Sequence, residues 1–234
     1  MNFEFSEEQL MLREQARGFL GQHCSPSVAR SVLDGARNFD PDLWQKVAEM
    51  GWTATAIPEE YGGLGLGYYE LAIIAEELGR AVAPIPFSSS VFLASEAIMA
   101  FGNTAQKNKW LPGLASGDSI GTFALAERPG SATADNLLSR YDQQSVTGAK
   151  APTADAMIAN FAVVVCKASP GHVHLAIVDL SDSSVARETL KTLDPSRGHG
   201  KVMFENSPAE LLGEHEVSWS ALENLLDRAA VLMA

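Results

Sequence analysis

The chain has 234 residues, 46% hydrophobic and 20% charged, an ordinary globular composition with enough length for one large domain or two small ones. A formal charge of −12 disfavours nucleic acid and anionic membrane surfaces, which need a basic footprint, but leaves room for an anionic small molecule at a local basic spot. Cys24 and Cys166 are too few and too far apart for a disulfide framework or a structural zinc, the N-terminus MNFEFSEEQ lacks the marks of a secretory signal, and no apolar run approaches the ~20 residues of a membrane span, so a cytoplasmic setting fits.

Ser6 followed by Glu7, Glu8 and Gln9 reads as a capping box opening a helix whose inner face holds Leu12, Ala16, Phe19 and Leu20. A second helical pattern covers Val28 to Ala36. Asp40-Pro41 starts a third, with Trp44, Val47 and Ala48 inward and Gly51 as its stop. The glycine-rich run from Ile57 to Gly67 lacks the strand and βαβ context of a dinucleotide fingerprint and reads as a structural turn between helices. The helix after it carries Leu71, Ile74, Ala75 and Leu78 on one face, Gly79 as its stop, and Glu70, Glu76 and Glu77 on a face read as solvated. Further helical patterns run from Ser90 to Phe101 and from Thr104 to Leu111, so residues 1–118 read as an all-α bundle.

Gly121 to Ser131, GTFALAERPGS, is the pivot of the chain. Its first half reads as a strand and its second as a polar turn, whose backbone N–H groups and hydroxyl suit a planar ligand or a phosphate as well as an ordinary strand-to-loop junction. Beyond it the period becomes two. Candidate strands are Ile120–Ala126, Leu138–Tyr141, Ser145–Thr147, Phe161–Lys167, His172–Asp179, Val185–Thr192 and Lys201–Glu205, which predict an antiparallel barrel over residues 119–212. His172 and His174 share a strand face, but without nearby partners they read as an exposed pair rather than metal ligands. A last helix, capped by Ser220 and Glu223, begins a further helical region at 213–234, and its broad apolar face predicts a covering partner, either more chain or another subunit. The fold class expected is therefore α+β multidomain: helical bundle, antiparallel β-barrel, then helix.

This order, together with the segments IPEEYGGLGLGYYELAIIAEELGR (Ile57 to Arg80), KWLPGLASGD (Lys109 to Asp118), Leu193 to Arg197 and Val202 to Glu205, resembles the acyl-CoA dehydrogenase family along the whole chain. The resemblance implies a flavoprotein in which FAD lies against the barrel and an acyl-CoA substrate enters between barrel and helices. The implied reaction is α,β-dehydrogenation, with hydride passing to FAD and then to an electron-transfer flavoprotein, in a homo- or hetero-oligomer. By position, Phe123, Leu125, Ala126 and Ser131 fall at the family's first flavin stretch, Ser131 being also the substrate contact. The Gly148-Ala149-Lys150 signature places Pro152, Thr153 and Ala154 at the second. The chain departs from the pattern where Ala126 replaces a threonine and Pro152-Thr153-Ala154 replaces Trp-Ile-Thr. The family's catalytic carboxylate belongs to a helical domain beyond Ala234, so no residue is assigned as base, and no metal is expected. The resemblance also leaves open a non-catalytic partner subunit with a degraded flavin site, and an oxidase or monooxygenase branch that uses oxygen.

Overall fold

In the computed structural model, which describes residues 5–234, the first helix, α1 (Glu7–His23), begins at the expected capping box: Gln9 N–H donates to Ser6 Oγ at 3.2 Å and Ser6 N–H to Gln9 Oε1 at 3.0 Å. The first four residues, on which part of the reading of the N-terminus rests, lie outside the described residues. Helix α2 spans Pro26–Leu33, starting two residues earlier and ending three earlier than the pattern suggested, because Ser25-Pro26 initiates it rather than merely ending α1. Helix α3 (Pro41–Glu49) is capped by Asp40, whose Oδ1 accepts from Leu43 N–H at 2.8 Å. The glycine loop is structural: a Cβ on Gly63 would overlap the Ile57 carbonyl outright.

Helix α4 (Tyr68–Arg80) differs from expectation in two ways. It runs through Gly79, and the left-handed stop falls on Val82, at φ +48°, while Ala83 N–H closes back on the Leu78 carbonyl at 3.0 Å. Its acidic face is not simply solvated, because α1 lies across it. Arg17 reaches Glu77 at 2.6 Å, Arg13 reaches Glu76 at 2.9 Å, and Gln9 donates to Glu70 at 2.8 Å. Glu77 is only 2% exposed. Its carboxyl is held below the usual range chiefly by the Arg17 hydrogen bond.

The Ser90–Phe101 pattern resolves into a π-helix (Ser88–Ser95) running into α5 (Glu96–Phe101), and Ser95 Oγ donates back to the Ser90 carbonyl at 2.9 Å inside the wider turn. Helix α6 (Thr104–Ala115) extends through Pro112.

The strands are β1 (Gly121–Ala124), β2 (Arg140–Asp142), β3 (Ser145–Ala154), β4 (Phe161–Lys167), β5 (His172–Asp179), β6 (Val185–Leu190), β7 (His199–Leu211) and β8 (Val217–Ser218). Strands β4, β2, β3, β7 and β5 pair successively and β5 returns to β4, closing the barrel, with β6 added to β7 and β8 to β5. Most pairings are antiparallel, but β1 and β2 both run parallel to β4. Two strands are far longer than their sequence patterns. In β3, register shifts between Val146 and Gly148 and between Lys150 and Thr153 break the two-residue alternation by which a strand is recognised.

Helix α7 (Trp219–Met233) follows β8 directly. Its cap is Ser218, accepting from Ala221 N–H at 3.3 Å, and not Ser220, while Glu223 accepts from the Trp219 indole at 2.8 Å instead of closing a box. Leu222, Leu225, Ala229 and Leu232 are buried against the rest of the chain, each leucine contributing about 1.5–3 kcal/mol. Arg228 comes within 3.8 Å of the buried Glu96, which also accepts from the Tyr68 hydroxyl at 2.7 Å.

Helices and barrel share their cores. One apolar cluster joins Leu20, Trp44 and Leu71 to Val164, Val178 and Phe204, and a second joins Ile57, Ile98 and Leu111 to Val163, Leu175 and Leu225.

Candidate functional site

The tip of β1 is fixed by a buried ion pair. Lys150, fully buried on β3, donates to Glu127 Oε1 at 2.7 Å and to the carbonyls of Leu125, at 3.2 Å, and Val165. Glu127 also accepts from Leu138 N–H at 2.6 Å and Ser139 N–H at 2.9 Å. Burial alone pushes the Glu127 carboxyl up, but the hydrogen bonds from Lys150 and Ser139 outweigh it and hold the group below the usual carboxylate range. The Lys150 ammonium is lowered by burial. The pair ties four chain segments together: residues 125–127, residues 138–139, β3 through Lys150 and β4 through Val165. Gly148 is part of the same arrangement: it sits at φ +144°, and a Cβ there would lie 2.7 Å from Ser139 Cα.

The clamp brings together the two stretches singled out in the sequence. Ala151 N–H donates to the Ala126 carbonyl at 2.7 Å and Thr122 Oγ1 to the Ala154 carbonyl at 2.6 Å, so Leu125 and Ala126 lie beside Pro152 and Ala154. These four residues all keep exposed surface and form a shelf of small or apolar side chains. The other three candidates are placed differently. Phe123 is buried in the second core cluster, packed with residues such as Ala134, Leu137 and Phe161. Thr153 is 1% exposed and pairs with Gly200 of β7, so its side chain points into the barrel, where its hydroxyl has no hydrogen-bond partner. Ser131 is exposed on the loop after the tip, its carbonyl accepting from Asn136 Nδ2 at 2.9 Å. The side chains of the shelf bring no hydroxyl or indole, so the hydrogen-bonding groups it offers are those of the backbone.

A cavity of about 240 Å³ takes Asp155, the residue after the shelf's Ala154, into its wall. Its helical side is mainly apolar, with Phe39, Leu78, Ile85, Phe87, Phe92 and Leu232 beside the polar Asn38 and Ser88, and its barrel side brings Asp155, Ser196 and Arg197. Asp155 directly follows Ala154 of the shelf. It ends β3 in a left-handed conformation, φ +55°, and its Oδ2 accepts from Ser89 Oγ at 2.6 Å. Burial raises its carboxyl above the usual range despite that hydrogen bond and the positive charge of Arg197. Val82, strained at its own positive φ, also lines the cavity. The sequence alone gave no role to Asp155, Ser89 or Arg197. The departure of β3 from alternation hid them, since nothing local marks Asp155 as buried. Glu127 and Lys150 lay within quoted motifs without a role.

His172 and His174 lie with His215 and Glu216 in a shallow depression on the far side of β5; His174 Nε2 is 3.7 Å from Glu216 Oε1. Among the described residues, no group of three or more His, Cys, Asp or Glu is arranged to hold a metal ion, and no helix is long and apolar enough to cross a membrane.

Residues 6–118 match the acyl-CoA dehydrogenase N-terminal domain. The chain is 37% identical over 121 residues to the acyl-CoA dehydrogenase IpdE2 of Mycolicibacterium smegmatis, covering 51% of this chain and 37% of that one. It is 31% identical over 170 residues to the probable acyl-CoA dehydrogenase YngJ of Bacillus subtilis, covering 70% and 44%. Among solved structures, a Tcur3481-Tcur3483 steroid ACAD superposes with a TM-score of 0.83 at 29% identity, over 97% of this chain and 62% of that one. Butyryl-CoA dehydrogenase from Megasphaera elsdenii shares the fold, with a TM-score of 0.84 at 20% identity over 99% of this chain and 66% of that one. The chain thus spans less than half the length of these two curated relatives.

Proposed function

Since the chain belongs to the acyl-CoA dehydrogenase family, whose members are FAD-dependent, we propose that it provides the flavin shelf and acyl cavity of an enzyme that removes hydrogen from the α and β carbons of an acyl-CoA thioester. The observation that carries this reading is continuity. Ala154 belongs to the shelf and Asp155, the next residue, to the cavity wall, so we infer that a ring on the shelf and an acyl group in the cavity share one site. Leu125, Ala126, Pro152 and Ala154 would hold the ring, with Ser131 on the neighbouring loop as a contact to flavin and substrate. The Glu127–Lys150 clamp would keep the two stretches in register, and the apolar helical wall would exclude water from the reacting carbons. FAD, when bound, supplies the two-electron acceptor. The base that takes the α-proton is assigned to no residue of this chain. Reoxidation by an electron-transfer flavoprotein, an oligomeric assembly and a cytoplasmic setting belong to the same proposal.

The experiment is a visible absorption spectrum of the purified chain after incubation with FAD and removal of the excess, followed by anaerobic addition of acyl-CoA thioesters. Retained flavin absorbance supports the shelf assignment. A chain that folds but retains no flavin at any FAD concentration overturns it.

A second reading has its own observation. The shelf lacks a side-chain hydroxyl at Ala126 and an aromatic wall at Pro152, and the Thr153 hydroxyl turns inward. These features favour a partner subunit whose flavin site has lost function, paired with a catalytic relative. Flavin bound only in the presence of such a relative, and mapped to that relative's barrel, would support it; flavin reduction by this chain alone would exclude it.

A further inference from the structure

The cavity sets polar side chains, Asp155, Ser88, Ser196 and Arg197 among them, beside apolar ones, and that mixture carries information about what enters it. A purely aliphatic acyl group would leave Asp155, Ser88, Ser196 and Arg197 facing hydrocarbon, a costly arrangement for groups that lose water on binding. Asp155 and Ser88 are the most buried of these, each 4% exposed, and the position of Asp155 is set twice over. Ser89 Oγ donates to its Oδ2 at 2.6 Å, and its own N–H donates to the Gly198 carbonyl at 2.8 Å. Only one carboxyl oxygen is engaged by Ser89, so the other is left to meet a ligand.

Resting on the acyl-CoA reading, we propose that the acyl group taken by this chain carries a hydroxyl or keto oxygen beyond its α and β carbons, and that the Asp155 carboxyl on the barrel wall receives it. The α and β carbons are the reacting ones, so the recognised oxygen belongs to the rest of the acyl group, whose remaining surface is apolar to match Phe39, Phe87, Phe92 and Leu232. A carboxyl at Asp155 accepts from a hydroxyl when ionised and donates to a keto oxygen when protonated, and burial shifts it toward the protonated form. Asp155 is here a specificity residue. It makes no bond and moves no proton in the reaction.

The test is equilibrium binding by titration calorimetry to the FAD-treated chain, with octanoyl-CoA and a set of octanoyl-CoA analogues bearing one hydroxyl or keto group on successive carbons beyond the β position. One oxygenated analogue is expected to bind about tenfold more tightly than octanoyl-CoA, the worth of one well-placed buried hydrogen bond. In Asp155→Gly, which accepts the positive φ without strain, that preference should fall to within about twofold, whereas Asp155→Asn, which keeps a donor and an acceptor, should retain most of it. Equal binding of all the analogues and octanoyl-CoA by the unaltered chain overturns the proposal and leaves the acyl-CoA reading standing, without recourse to any variant. Failure of every thioester to bind overturns both. A preference that survives Asp155→Gly overturns the assignment to Asp155.

Discussion

Replacing Lys150 by methionine isolates the contribution of the clamp beneath the shelf. Methionine keeps most of the volume of a fully buried side chain, so the cavity penalty is small, but the substitution removes the cation bonded to Glu127 and a donor to the Leu125 and Val165 carbonyls. Glu127 then stays buried, with a side-chain exposure of 6%, and is served only by two backbone N–H groups. Breaking a buried pair from one side costs about 3–5 kcal/mol, a large fraction of the ~5–15 kcal/mol available to a folded domain.

Urea unfolding at pH 7 should therefore show a loss in this range for Lys150→Met. Adding Glu127→Gln should recover part of it, because a neutral amide no longer strands a charge. The pH dependence separates the cases. In the unaltered chain Glu127 has a depressed folded pKa, so its contribution is present above its unfolded pKa, about 4.3, and is lost as pH falls through the folded value. In Lys150→Met burial dominates, the folded pKa rises above the unfolded one, and the deficit relative to the parent shrinks as the pH falls from neutrality through that raised value. A loss below about 1 kcal/mol, or a double variant less stable than Lys150→Met, would refute the reasoning.

Gly148→Ala combines a forbidden φ of +144° with a Cβ 2.7 Å from the Ser139 backbone, and should lower stability by more than about 2 kcal/mol in thermal unfolding, without the rescue expected where a neighbour can move. Burial pushes the Cys166 thiol up to about 12 and raises that of Cys24 as well, so a disulfide reagent at pH 8 should titrate neither thiol rapidly in the folded chain and both in denaturant. Ala126→Thr returns a hydroxyl to the shelf and should tighten FAD binding by about five- to tenfold in a fluorescence titration; unchanged or weaker binding would show that a ring does not lie over Ala126.

The sequence was most legible where chemistry is local. Capping at Ser6 and Asp40 could be read from single residues, because a side-chain oxygen meets an N–H two or three positions ahead. Strands β4 and β5 were found to the residue, since both are buried and bounded by clear turns. What escaped depends on partners distant in the chain. Glu77 reads as an exposed acid until α1 is laid over it, and Ser220 reads as a cap until β8 ends at Ser218. The long strands β3 and β7 were seen as fragments because bulges interrupt the alternation. Of the candidate site, the two stretches and their proximity were legible through the family resemblance. The inward turn of Thr153 was not, because a register shift after Lys150 changes which residues face out.

The shared cores have a consequence for how the chain comes apart. The passage from helical to strand periodicity near residue 119 looks like a seam, yet Leu20 and Val178, or Ile98 and Leu175, belong to the same apolar clusters on either side of it. Gly121 sits at the join, where a Cβ would lie 2.6 Å from Ala94 of the π-helix and 2.8 Å from Phe161 of β4. A boundary drawn on secondary structure therefore does not coincide with a line of weak cohesion. A cut at 118 would strip each half of part of both shared clusters, so the two should melt in one step, making the halves poor modules for recombination even though their sequences read like two different proteins.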